Sequence, residues 1–180
     1  MILTVEELRT YITTDISDEL LSLKLSAIES LIRKHTNNNF QNRAVRCQSA
    51  IEGGVITSPS PYFKVGDTVQ ISENPLNNGL YVIGEGMSLS PSPLDYEQNL
   101  ITKVVYPDDI KIGVVDMLKW KLRNEERNSG DTDKQTVQSE TISRHSVTYA
   151  ADNTESDIDE RLGYPRKLTA FLKPYMKARF

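Results

Sequence analysis

Residues 107–127 read PDDIKIGVVDMLKWKLRNEER. The stretch predicts one long helix. Pro107 suits its start, because a fixed φ and a missing N–H cost nothing there. Asp108 and Asp109 put negative charge on the first turn, where the helix dipole favours it. Apolar residues fall at Ile110, Ile112, Val114, Val115, Met117, Leu118, Trp120 and Leu122. Ile112 apart, they cover roughly 220° of the helix surface, against about 100° for an ordinary surface helix. So wide an arc calls for partners on more than one side. The other helices are expected to supply some, and a neighbouring subunit another. Ile110, Val114, Met117, Leu118 and Trp120 are the packing candidates. Trp120 is read as core, with the role of interface anchor as its alternative.

Upstream, Thr4 and Glu7 form a capping box that opens a short helix. Ser17 or Asp18 caps a second helix running to about Thr36. Its apolar positions, Leu21, Leu25, Ile28 and Ile32, recur at helical spacing and predict one buried face. The run Asn37-Asn38-Asn39 ends it, since asparagine tolerates the left-handed cap. From about Phe40 to Tyr106 the helical period disappears. Glycines and prolines punctuate short β-rich runs at 45–51, 62–65, 68–72, 80–83, 87–89 and 100–106. Asn77-Asn78-Gly79 is a hairpin-turn signal.

Downstream of the long helix, residues 141–149, TISRHSVTY, are β-prone and form either a hairpin arm or a strand offered to another chain. A short helical turn is expected at 156–162. Pro165 then opens a last helix with Leu168, Phe171 and Leu172 as its apolar face. Pro174 limits that helix, and the closing KPYMKARF is expected to lie outside the core. The expectation is a mainly α fold, α+β overall. Residues 1–44 and 107–173 make a small helical bundle, 45–106 an inserted β-rich subdomain, and 174–180 an extended tail.

Composition narrows the function. A chain of 180 residues is one domain, or one with an insertion. No run approaches the ~20 apolar residues of a membrane span, and MILTVEELRT lacks the basic start of a signal peptide. The single cysteine, Cys47, rules out an internal disulfide and fits a reducing cytoplasm. A net charge of −4 argues against a general nucleic-acid binder. The charge is uneven. Residues 151–160 hold five acids and no base, and residues 161–180 six bases and no acid. Such a split suggests an electrostatically guided contact.

The inventory for chemistry is thin. His35 sits at a helix end, where a cation suits the dipole, and His145 reads as an exposed polar residue. One cysteine and two distant histidines offer no zinc-site spacing. Cys47 lies in an alternating run and reads as a small core residue. Gly84-Glu85-Gly86 is half of a dinucleotide fingerprint with no helix start after it. No catalytic, cofactor-binding or metal-ligating residue is expected, and no enzyme activity.

Four features in order carry a resemblance. They are the paired helices EELRTYI and SDELLSLKLSAIESLIRKHTNNNF, the central PDDIKIGVVDMLKWKL, the segment SETISRHSVTYA, and the closing GYPRKLTAFLKPYMKARF. Together they resemble the head–tail connector, or adaptor, proteins of long-tailed bacteriophages. The resemblance covers roughly two-thirds of the chain and rests on order and spacing, with the β-rich segment as the departure. It implies a structural protein of the virion, made in the host bacterial cytoplasm. Copies would form a dodecameric ring beneath the portal, extend the DNA channel and dock a stopper or head-completion protein. The free protein could be a monomer. DNA would pass without sequence-specific binding. The portal-binding tail would comprise Lys173, Pro174, Tyr175, Met176, Lys177, Arg179 and Phe180. Ile142, Arg144, His145, Val147 and Tyr149 would form an arm toward other subunits or the stopper. The alternative is a nucleic-acid-binding module that uses an SH3-like β insertion. Against it, residues 50–99 carry Lys64 as their only base.

Overall fold

The computed structural model describes residues 1–129, 140–142, 145–147 and 158–178. Two short polar signals set the first helices. In the capping box of α1 (Val5–Arg9), Thr4 Oγ1 accepts the Glu7 N–H at 3.1 Å, and Glu7 Oε2 accepts the Thr4 N–H at 2.8 Å. Ser17 caps α2 (Asp18–Thr36), and Asn37 ends it at φ 50°, in the left-handed region. Leu21, Leu25, Ile28 and Ile32 are buried along one face of α2. Burying each contributes about 1.5–3 kcal/mol.

The chain then makes six antiparallel strands: β1 (Gln41–Glu52), β2 (Val55–Ile56), β3 (Thr68–Ser72), β4 (Gly79–Ile83), β5 (Leu89–Ser90) and β6 (Tyr96–Val104). Their order is β2-β1-β6-β3-β4-β5. The two edges of the sheet meet. Val55 bridges Ser88, and the Leu89 N–H reaches the Gly54 carbonyl at 2.8 Å. The sheet therefore all but closes into a barrel, which disposes of its edges. Irregularities in the pairing of β1 with β6, between Gln41 and Arg46 and between Ser49 and Ile51, bend the long strand enough to do so. Ile51, Phe63, Val69, Ile71, Ile83 and Ile101 fill the interior.

The mainly α expectation is corrected here. Helix makes up 38 % and strand 27 %, and the barrel has a hydrophobic core of its own. Glycine and proline punctuation had made 45–106 look like an accessory. In fact β1 extends beyond its apolar run at both ends and β6 begins before its own, because mostly polar residues occupy those added positions. The run 62–65 is no strand. It is a turn in which Asp67 Oδ2 accepts the Lys64 N–H at 2.8 Å.

Helix α3 (Asp108–Ser129) follows the barrel and packs with α1 and α2 in a second core. Lys24 of α2 pairs with Glu125 of α3 at 2.7 Å. Strands β7 (Glu140–Ile142) and β8 (His145–Val147) form a short antiparallel hairpin. A further hairpin, β9 (Ile158–Asp159) with β10 (Tyr164–Pro165), stands where a helical turn was expected over 156–162. Gly163 turns it at φ 69°. Helix α4 (Arg166–Thr169) then tightens into a 3-10 turn, Ala170–Tyr175, which holds Pro174 within it instead of stopping before it. Leu172 is buried, and Phe171 lies end-on against Gly113 of α3.

Barrel and helices are joined by a buried polar knot. Tyr106, after β6, donates its hydroxyl to Glu29 Oε1 at 2.7 Å. Arg33 Nη1 donates to the same hydroxyl at 3.1 Å, and its Nη2 to Gln70 Oε1 on β3 at 2.6 Å. Burial, followed by the Glu29 charge, raises the Tyr106 phenol well above the ordinary tyrosine range.

Candidate assembly surfaces

Helix α3 comes first, because its apolar arc was expected to need a neighbouring subunit. Ile110, Val114, Met117 and Leu118 are fully or almost fully buried, with Val115 and Leu122 close behind. Trp120 is half-buried, its ring 5.4 Å from that of Tyr164 on β10. The arc is thus covered by the chain's own helices and by the β9–β10 hairpin. Most of the arc is therefore satisfied within the chain, with Trp120 left half-exposed. Ile112, off the arc, is left 61 % exposed.

The expected arm is a hairpin over its described part. Glu140 pairs with Val147, Thr141 with Ser146 and Ile142 with His145. Arg144 and Tyr149 lie outside the described residues.

The expected tail is docked, and its placement outside the core is corrected at Tyr175. That ring packs 5.9 Å from Phe40, and its hydroxyl donates to both Asp109 carboxylate oxygens at 2.8 Å. The bond to Asp109 raises the Tyr175 phenol above its ordinary range. Beyond it the backbone runs past the end of α2. The Thr36 carbonyl accepts the Lys177 N–H at 2.8 Å. Asn37 Nδ2 donates to the Ala178 carbonyl at 3.0 Å, and Asn38 Nδ2 to that of Tyr175 at 3.2 Å. Lys173, Pro174, Met176 and Lys177 are exposed, and Arg179 and Phe180 lie outside the described residues. The sequence reading took Asn37 and Asn38 for a helix stop. Their second role depends on a segment some 140 positions away, and no local pattern signals it.

Exposed apolar side chains remain on the barrel and on the helices among the described residues, and two groups of them lie on the helices. One is the outer face of α2, where Leu20, Leu23 and Ala27 follow helical spacing opposite the buried face. Leu23 is 67 % exposed. The other is a groove of about 370 Å³ between α1 and α3, where exposed Tyr11 and Ile112 stand among charges of both signs, Glu7, Asp108, Asp116, Lys111 and Lys119. Neither patch was named from sequence, although the α2 stripe is visible there as leucines beside the predicted buried face.

A third surface is charged. His35, Arg161, Arg166 and Lys173 line a groove of about 540 Å³ together with Asp159 and Glu160. Asp159 is partly used internally, since its Oδ1 accepts the Arg161 and Leu162 N–H groups. Three bases of the basic stretch, Arg161, Arg166 and Lys173, therefore share one groove with His35 and with two acids of the preceding acidic stretch. His145, by contrast, stands on β8 and His35 at the end of α2. Cys47 is half-buried on β1, and burial raises its thiol.

Among the described residues no group of three or more His, Cys, Asp or Glu side chains is placed to hold a metal ion. No described helix is long and apolar enough to cross a membrane. No protein-family model matches the chain, and no curated protein does.

Proposed function

We propose that the chain is a structural, non-enzymatic subunit of a bacteriophage head–tail connector at the head–tail interface of the virion. Copies assemble as a ring beneath the portal, with twelve the number the resemblance implies. The ring continues the DNA channel and docks the stopper protein. The observation that carries the reading is the pair of unlike apolar patches, the outer face of α2 and the α1–α3 groove. A ring needs a heterologous interface, built from two different patches on each subunit. The order of helices, arm and C-terminal segment supports it as well. The net charge of −4 suits a channel through which phosphates slide without sticking.

The test is particle mass in solution, alone and with a purified portal. The expected result is a ring on the portal, with the free chain either monomeric or assembled. Leu23→Asp and Ile112→Asp, each on an exposed side chain, should leave the fold intact and abolish ring formation. Removing residues 174–180 should abolish portal attachment. Normal ring assembly by both aspartate variants would sink the reading.

A further inference from the structure

The docked C-terminal segment occupies a cleft that reads backbone. The three hydrogen bonds that Thr36, Asn37 and Asn38 make to it all end on its main chain, at Lys177, Ala178 and Tyr175. Such contacts place little demand on sequence. One position is read by its side chain. Tyr175 sets its ring against Phe40 and its hydroxyl on Asp109. Main-chain bonds with one anchored side chain are how an extended peptide is recognised. Leu172 is the last fully buried side chain among the described residues, so little holds the segment after it apart from the cleft itself. The groups that Thr36, Asn37, Asn38, Phe40 and Asp109 engage are ones that the same segment of a second copy also carries.

We propose that the cleft is an exchangeable peptide site. Residues 175–178 of the same chain fill it in the single molecule, and residues 175–178 of a second copy fill it when chains associate. Each hydrogen bond lost in one chain is regained in the other, so exchange sacrifices no contact. Tethering decides the balance. A short tether holds the chain's own segment at an effective concentration on the order of millimolar, and copies gathered in an assembly compete at similar density. The inference goes beyond the connector reading and requires no portal.

The experiment titrates a fluorescently labelled peptide of residues 173–180 into the full-length chain and reads anisotropy. The peptide stands for the second copy's segment. It should bind the full-length Tyr175→Ala variant at least ~10-fold more tightly than the wild-type chain, whose own segment competes at the effective concentration given above. A peptide with alanine in place of its tyrosine should bind neither. Adding Asn38→Ala to the variant should weaken binding again. Circular dichroism and amide exchange along α2 establish that each variant is folded. Should Tyr175→Ala fail to fold, Tyr175→Phe keeps the ring and loses only the hydroxyl, and the same ordering is expected. The proposal is overturned if the folded variant binds the peptide no more tightly than wild type, or if the alanine peptide binds equally well. Because no portal is present, this result is independent of the portal-attachment test.

Discussion

Replacing Gly113 by alanine tests how the C-terminal unit is seated on α3. In the interior of an isolated helix this change stabilises by about 1 kcal/mol, because glycine has more backbone freedom to lose. Here the position is buried, and a methyl group would overlap the tip of the Phe171 ring at three of its carbons. The ring is rigid and enters end-on, so it cannot evade by bending. It must slide outward and carry the Ala170–Tyr175 turn with it. Overpacking of this kind costs about 1–3 kcal/mol, and partial exposure of Phe171 adds about 1 kcal/mol. Against the propensity gain, the net loss is about 1–3 kcal/mol. For a chain of this size that lowers the melting temperature by about 2–12 °C. The assay is thermal unfolding of four proteins: wild type, Gly113→Ala, Phe171→Ala and the double variant. The double variant should be more stable than the sum of the single changes predicts, by at least about 1 kcal/mol, since removing the ring removes the overlap. A rise in melting temperature for Gly113→Ala alone would mean that helix propensity outweighs the contact. The account of how α4 closes on α3 would then be wrong.

Two further changes test the buried polar groups. Tyr106→Phe takes a donor from Glu29 and an acceptor from Arg33, and should cost about 1–3 kcal/mol in urea unfolding. The same phenol gives a pH dependence. Its pKa is raised in the folded chain, so the unfolded chain loses that proton first, and stability should fall as pH rises above about 10. Tyr106→Phe should flatten that fall, and an unchanged alkaline slope would contradict the assignment. Asn99 is fully buried. Its Nδ2 bonds the Ser49 and Tyr96 carbonyls, and its Oδ1 accepts from Asn74. Asn99→Ala should cost about 2–3 kcal/mol and loosen the loop that Asn77 ties to Leu94. Faster amide exchange at Leu94 would register it.

The elements legible in the sequence are those that local chemistry decides. Thr4 with Glu7, Ser17 and Asn37 announce the ends of α1 and α2, and the period of Leu21, Leu25, Ile28 and Ile32 gives the buried face of α2. The long helix was legible from Pro107, Asp108 and Asp109 onward. Its wide apolar arc was read correctly as needing several partners. Which partners was not legible, because Leu162 and Tyr164 reach α3 from a segment with no apolar period of its own. Barrel closure was hidden for a similar reason. It depends on Val55 meeting Ser88, two positions with no mutual signal, and on bends in β1 that leave no residue signature. At the candidate surfaces, the basic run from Arg161 was plain, and the docking of Tyr175 was not. Pro174 argued for a break, but a 3-10 turn accepts a proline that a longer α-helix would not.

The way stability is graded along the last twenty residues bears on function. Leu162, Tyr164 and Leu172 are buried, and at about 1.5–3 kcal/mol for a side chain of their size they anchor β9, β10 and α4 firmly. The segment after Leu172 is held otherwise. Its three hydrogen bonds to Thr36, Asn37 and Asn38 contribute about 1 kcal/mol each, while ordering four residues costs about 1–2 kcal/mol apiece. Those bonds alone fall short, and the Tyr175 contacts with Phe40 and Asp109 make the difference. The segment itself carries no fully buried side chain, so its release uncovers Phe40 and frees Asp109 but pulls nothing out of the core. The same balance would let one tyrosine decide whether the tail stays on its own subunit or reaches another. A subunit that must be a folded single molecule before assembly and a linked one afterwards needs that division between a firm anchor and a marginal strap.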